Sequence, residues 1–384
     1  MTFDFDTPVD RRDTGSTKWS RYGADVLPLW VADMDFPLAP AIVDALKERL
    51  DHPFLGYATP RDELRDAVVA HLSRTYGWEV SPDWLVFLPG VVPGFNMALK
   101  GCLSPGDGLI IERPVYPPIR AAAGHWDLRR IEVDIVPDGD RWRLDLDAIA
   151  AAAPTAGAIL LCNPQNPTGL RVPPADLERL AAIAVEHDLL MLSDEVHCDL
   201  MLADAPHVPI ASLGKDIASR TVTLMAASKT FNIAGLKTAF AVIENAELRR
   251  RVAGTTQGMV DSINAFGFEG TLAALRDGRP WHDALIAYLR GNRDHLASEI
   301  ARRFPKIAMR VPDATFLAWL DCAALDLGRP AQEFFLHEAK VGLSPGSDFG
   351  GPAMADHCRL NFGCPRALLD EALTRMEAAL NARS

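Results

Sequence analysis

Basic residues are the scarce side of this chain's charge: 39 Lys+Arg stand against 51 Asp+Glu, a formal net charge of −12. An acidic field repels phosphate backbones and anionic lipid, which argues against nucleic acid or a membrane surface as a partner. Cysteine is also sparse. Cys102, Cys162, Cys198, Cys322, Cys358 and Cys364 are scattered without a CxxC pair. That excludes a disulfide framework and reads as reduced thiols in a cytoplasmic protein. Long apolar runs are missing as well. The longest uncharged stretch, Ala148–Leu170, carries Pro154, Pro164 and Pro167, so it cannot supply the roughly 20 continuous helical residues that span a bilayer. The opening MTFDFDTPVDRRDTG is polar and acidic, unlike a secretory signal.

What the chain has is an ordinary globular composition, with 48% hydrophobic and 23% charged residues over 384 positions. That length predicts two or three domains. From about residue 85 short apolar runs alternate with helical segments. Seven candidate strands are Leu85–Leu88, Leu109–Glu112, Arg130–Asp134, Ala158–Cys162, Leu189–Ser193, Val222–Met225 and Ala239–Ile243. Most are apolar on both faces, as in a sheet covered by helices on both sides. Between them Pro173–His187 reads as a helix with prolines at its start and Leu177, Leu180, Ala181 and Ala184 on one face. The alternation predicts a mainly parallel, doubly wound α/β domain. After about residue 280 the texture changes to a smaller α+β arrangement. A long helix (Trp281–Arg303) leads to a strand pair around Ala308–Asp321 and a short helix (Ala331–Ala339). A Gly/Pro-rich loop (Ser344–Pro352), a strand (Arg359–Phe362) and a final helix follow.

The segment NPQNPTG, Asn163–Gly169, directly follows the strand AILLC. Two Asn–Pro steps and a closing glycine force a turn at a strand's carboxyl end, which is where open α/β sheets bind ligands. Asp194, 28 residues after Asn166, follows the next strand in SDEVH, and Lys229, 35 further on, follows VTLM in AASKTFN. An amide, a carboxylate and an amine at three strand ends can meet in one pocket. The trio suits pyridoxal phosphate: the amine forms an imine with the aldehyde, and the carboxylate keeps the ring nitrogen protonated so that the ring can accept electrons. The amide bonds the phenolic oxygen. Taken singly, each has a plainer reading: a solvated lysine, a strand-end cap, a structural turn.

Eight blocks carry a resemblance. They are LPLWVADMDF (27–36), GYATP (56–60), PGVVPG (89–94), RPVYPPI (113–119), NPQNPTG, SDEVHCDL (193–200), SKTFNIAGL (228–236) and RLNFGCP (359–365). Through them nearly the whole chain resembles fold-type I pyridoxal phosphate enzymes of the class I/II aminotransferase superfamily. Within it the blocks look like the MalY/PatB-type cystathionine β-lyases, or carbon–sulfur lyases. The resemblance implies a large domain with a mainly parallel seven-stranded sheet over residues 48–280 and a small C-terminal domain over 281–384. An N-terminal segment, 1–47, would join the small domain.

It further implies that Lys229 is the imine-forming lysine, Asp194 the partner of the ring nitrogen and Asn166 a donor to the phenolic oxygen, with His197 serving that same oxygen. Tyr116 would stack on the ring, and the backbone amides of Val91 and Val92 at a helix N-terminus would cradle the phosphate. Tyr57 would reach the phosphate from the other subunit of a homodimer. Arg359 would clamp the substrate carboxylate, with Asn166 beside it and the backbone near Ala32 opposite. Competing readings are a packed loop for Tyr116, an ordinary partly buried side chain for Tyr57, a surface ion pair for Arg359 and core or pocket wall for Trp30 and Phe36. A metal at Asp194, Glu195, His197 and Cys198 fails on spacing, since no second compact His/Cys group follows.

Two positions depart from the superfamily pattern. Ala226 stands where many relatives carry a hydroxyl, and Lys237 where many carry arginine. Phosphate binding therefore leans on helix-terminus amides, Lys237 and Tyr57, with Ser228 as a further donor. The activity implied is β-elimination from L-cystathionine or another cysteine S-conjugate, with Lys229 or Tyr116 as proton donor to the leaving thiolate. Aminotransferase is the alternative, and a regulatory protein built on this fold is a third reading, disfavoured by an acidic N-terminus without a helix-turn-helix pattern.

Overall fold

The computed structural model describes residues 3–257, 260 and 262–383. Its large sheet has eight strands: Leu85–Leu88 (β1), Gly108–Arg113 (β2), Arg129–Asp138 (β3), Arg141–Leu144 (β4), Ala158–Cys162 (β5), Leu190–Asp194 (β6), Thr221–Met225 (β7) and Ala239–Val242 (β8). They lie in the order β1-β8-β7-β6-β5-β2-β3-β4. The run β7-β6-β5-β2-β3 is parallel, while β8 runs antiparallel to both its neighbours and β4 antiparallel to β3. All seven expected strands are present. The expected count of seven is corrected by β4, whose RWRL is exposed or half-buried in its first three residues and so lacks an apolar run. It pairs back on β3 through Asp138–Arg141 across Gly139 at φ 59°, a hairpin signal that the polar composition hides.

Helices cover both faces. On one, Val91–Cys102 (α1) and Pro117–His125 (α2) pack Phe95, Leu99, Ile119 and Ala122 against Leu160, Leu192 and Leu224. On the other, Pro174–Glu186 (α3) packs Leu177, Leu180, Ala181 and Ala184 against Ile159, Leu161 and Met191. Its apolar face is the one the sequence spacing predicts. Central strands β5 and β7 are buried throughout, which is why they carry no alternation of polar and apolar residues.

The second sheet has four short strands, Ala308–Met309 (β9), Leu317–Asp321 (β10), Ser344–Pro345 (β11) and His357–Asn361 (β12), in the order β9-β10-β12-β11 and antiparallel throughout. The stretch expected to be a Gly/Pro-rich loop thus begins as strand β11 and continues as a helical turn at Ser347–Gly350. Long helix Arg279–Arg303 (α4), final helix Arg366–Asn381 (α5) and the expected short helix, observed at Ala331–Glu338, belong to this region. Residues 47 and 48 both lie inside helix Pro40–Asp51, and the change of texture near residue 280 falls at Gly278, between helix Ala265–Asp277 and α4.

The N-terminal segment crosses to the second sheet's side. Leu27–Pro28 pairs in parallel with Val341–Gly342, and Asn361 N–H donates to Leu29 O at 2.9 Å. The next residues, Val31–Phe36, form a strap held by polar groups rather than by a ladder. Asn361 Nδ2 donates to Val31 O and Asp33 O, both at 2.7 Å. Buried Lys18 reaches Asp35 at 2.7 Å, and Arg11 and Trp19 bond the other oxygen of that carboxylate at 2.7 and 2.8 Å.

Candidate active site

The carboxyl ends of β5, β6 and β7, the N-terminus of α1 and the strap open onto one cleft of about 430 Å³. Its walls include Ala32, Val91, Val92, Tyr116, Asn166, Asp194, His197, Ser228, Lys229, Lys237 and Arg359. Every site residue named from the sequence is therefore in the cleft except Tyr57. That side chain is 94% exposed and borders a separate surface hollow with Ile263 and Phe266, which excludes the reading of an ordinary partly buried tyrosine.

Local chemistry explains the placement. In the NPQNPTG turn, Gln165 Oε1 accepts from Thr168 N–H at 2.9 Å and its Nε2 donates to Pro114 O at 2.6 Å. Gly169 sits at φ 71°, and a Cβ there would lie 2.8 Å from Ala314 O, so only glycine closes the turn. Asn166 is thereby aimed at Arg359, whose Nη1 donates to its Oδ1 at 2.9 Å. Arg359 Nη2 donates to Trp30 O at 2.6 Å and to Ser344 Oγ at 3.1 Å, and the Phe349 ring lies 4.9 Å from its guanidinium carbon. Arg359 is 4% exposed and forms no ion pair among the described residues, so the surface-pair reading is excluded. Burial draws its pKa down to about 10.

Lys229 Nζ donates to Ala32 O at 2.8 Å. Burial first, then the positive charge of Arg359, lowers its pKa to about 8, so a large fraction of the amine is neutral and nucleophilic near that pH. Asp194 is 3% exposed and accepts from Val196 N–H at 3.2 Å. Burial raises its pKa to about 7. Burial also holds His197 neutral, with a pKa near 3, and its Nδ1 is buried without a partner. The Tyr116 pKa is raised, again chiefly by burial. Trp30 is a half-buried wall of the cleft, and Phe36 belongs to the core.

These groups fit pyridoxal phosphate. A carboxyl that burial keeps from ionising easily, facing a cavity and bonded to no cation among the described residues, would be completed by a protonated ring nitrogen. The unpartnered His197 Nδ1 is available to a polar ring substituent. No side chain caps the N-terminus of α1 at Gly90, so its first amides are free for an anion. Ala226 is buried in the core and offers the phosphate nothing. Among the described residues no group of three or more His, Cys, Asp or Glu side chains is arranged to hold a metal ion.

Sequence reasoning missed several supports. Ser344 and the Trp30 carbonyl anchor Arg359, and Asn232 ties the lysine segment to the strap. Glu112, buried with its pKa raised to about 8 by burial, accepts from Cys162 N–H at 2.8 Å behind Asp194. The Asn in SKTFN was the one available signal, since it lies three residues after the lysine.

The fold and cleft define a large class, and the comparisons place the chain in it. A sequence profile for aminotransferase class I and II matches residues 24–376, so the chain belongs to that family. Within it, cystathionine β-lyase PatB of Bacillus subtilis (strain 168) is 37% identical, covering 98% of this chain and 100% of PatB. Among solved structures, OvoB superposes with a TM-score of 0.95 at 41% identity, covering 99% of this chain and 100% of OvoB. Cystalysin from Treponema denticola, described as containing a pyridoxal 5′-phosphate cofactor, superposes with a TM-score of 0.96 at 29% identity and 100% coverage of both chains.

Proposed function

We propose that this chain is a pyridoxal phosphate-dependent carbon–sulfur β-lyase that cleaves L-cystathionine or related cysteine S-conjugates to a thiol, pyruvate and ammonia. The observation that carries the reading is the meeting, in one cleft, of a lysine amine with a pKa drawn down to about 8, a buried strand-end carboxyl and a buried arginine bonded to Asn166. The kinship to PatB supports the choice of reaction.

Asp194 would hold the ring nitrogen, Asn166 and His197 the phenolic oxygen, Tyr116 the ring face, and Lys229 the aldehyde carbon. The phosphate would rest on the Val91 and Val92 amides with Ser228 and Lys237, joined by Tyr57 of a second copy. Bound pyridoxal phosphate supplies an aldehyde for the amine and an electron-accepting ring that stabilises negative charge at the substrate Cα. Arg359 binds the substrate carboxylate against Asn166, opposite the Ala32 backbone. The neutral Lys229 amine takes the Cα proton. The Tyr116 hydroxyl, kept protonated by burial, or the protonated Lys229 delivers a proton to the departing sulfur. Amino transfer uses the same groups as far as proton removal, then requires a keto acid to complete a cycle.

A homodimer accords with the exposure of Phe54 (69%), Leu55 (59%) and Tyr57 (94%) on one short segment, an apolar cluster of the kind that a partner surface covers. Six free cysteines accord with a cytoplasmic setting. The site assignment is tested by borohydride reduction of the pyridoxal phosphate-loaded protein followed by peptide mapping. The reading predicts a pyridoxyl label on Lys229, and loss of turnover by about 10²–10⁴-fold in Lys229→Ala. A label on another lysine would overturn it.

A further inference from the structure

At the solvent end of the cleft stand two exposed charges of opposite sign, Arg21 and Asp348. Neither forms an ion pair among the described residues, although both line the same cavity. Arg21 is not free to wander. Its guanidinium carbon lies 4.3 Å from the Trp30 ring and 5.6 Å from the Tyr22 ring, a cation–π stacking that fixes the guanidinium at the mouth, beside the Tyr22 hydroxyl. The platform is itself fixed. Trp30 Nε1 donates to Lys18 O at 3.2 Å, and Trp30 O accepts from Arg359 at 2.6 Å. Tyr22 packs so closely on Gly342 that a Cβ there would lie 2.5 Å from its ring. A single residue, Trp30, thus carries the inner arginine on its carbonyl and the outer arginine on its ring.

Asp348 comes from the turn Ser347–Gly350, next to Phe349, whose ring faces Arg359. Tyr22, Leu343 and Pro345 supply apolar wall within the same cleft. A cleft meant for a short alkyl thioether gains nothing from a preorganised guanidinium and a carboxylate at its mouth.

We infer that Arg21 and Asp348 form a distal subsite for S-substituents that end in an α-amino acid zwitterion, Arg21 taking the carboxylate and Asp348 the ammonium. The inference rests on the β-lyase reading and adds which cysteine S-conjugates that site selects. Arg359 binds the α-carboxylate of the cysteine half, the methylenes of the tail pass the apolar wall, and the tail's charges meet their complements at the mouth.

The test compares the pyridoxal phosphate-loaded wild type with Arg21→Met and Asp348→Asn on four substrates. These are L-cystathionine, S-(2-carboxyethyl)-L-cysteine, S-(2-aminoethyl)-L-cysteine and the uncharged-tail S-ethyl-L-cysteine. Two quantities are read: kcat/KM for pyruvate release, and half-saturation of the change in the cofactor's visible absorbance. Each is expressed relative to S-ethyl-L-cysteine. The subsite predicts that R21M lowers the cystathionine and carboxyethyl ratios at least fivefold, through KM, while the aminoethyl ratio holds. D348N should lower the cystathionine and aminoethyl ratios and spare the carboxyethyl one. Ratios that move by less than twofold, or move alike for all three tails, overturn the subsite. No pyruvate from any substrate with the wild type would instead overturn the lyase reading, and the absorbance titration would still judge the subsite.

Discussion

Asp194 is the residue whose energetics most directly separate function from stability. In the cofactor-free protein its folded pKa, about 7, lies above the ordinary 3.8 because burial disfavours the carboxylate. The stability this group allows is fully present below about pH 4 and is lost as pH rises through 4 to 7, since the unfolded chain releases the proton first. Asp194→Asn therefore raises the melting temperature of the cofactor-free protein at pH 8 by roughly 2 °C or more, with little change at pH 4, while turnover collapses because an amide cannot hold the ring nitrogen protonated. Calorimetry at the two pH values checks this. An equal shift at both would mean that Asp194 is not a strained buried acid. Asp194, Lys229 and Asn166 were legible in the sequence because Asp194 ends an apolar strand run and the other two lie four residues beyond one. Ser344 and the Trp30 carbonyl were not. Their contacts with Arg359 span 15 and 329 residues, and no local pattern encodes such a meeting.

Among the elements, the strap Val31–Phe36 is the least expected. It has no long ladder, yet its Ala32 carbonyl holds the Lys229 amine. Asn232, at φ 58°, joins the two segments: its Oδ1 accepts from Met34 N–H at 2.9 Å, and its Nδ2 donates to Met34 O at 2.8 Å and Phe36 O at 3.2 Å. Asparagine tolerates the left-handed conformation that alanine resists. Asn232→Ala therefore costs about 2–4 kcal/mol, the sum of the lost bonds and the backbone penalty. It also lowers kcat at least tenfold at temperatures where the variant is folded. Unaltered kcat in a folded variant would show that the strap does not position the amine. The strap's block, WVADMDF, drew attention in the sequence as a family mark, but nothing there revealed the Lys18–Asp35 pair beneath it. A lysine followed by tryptophan in a polar stretch reads as surface, whereas Lys18 is fully buried. The seven apolar strands were legible for the opposite reason, since central strands announce themselves by continuous burial, and edge strand β4 does not.

At the scale of the molecule, the chain presents Leu50, Phe54, Leu55 and Tyr57 to solvent on one short segment, away from a cleft that lacks only Tyr57 among the residues assigned to it. The proposed dimer covers this segment. Sedimentation should give about twice the 41.9 kDa chain mass, and Phe54→Asp with Leu55→Asp should shift the protein toward monomer and weaken its retention of pyridoxal phosphate. A monomeric wild type that keeps the cofactor through dialysis would contradict the shared site. Composition could not reveal this surface, because four apolar side chains vanish into a 48% hydrophobic average. The chemistry the whole molecule performs is tested most directly by mixing the loaded protein with L-cystathionine and no keto acid while following pyruvate and the visible absorbance of the cofactor together. The account predicts many pyruvates per active site, with the starting absorbance restored when substrate is spent. A single turnover that bleaches the absorbance until a keto acid is added would make the protein an aminotransferase.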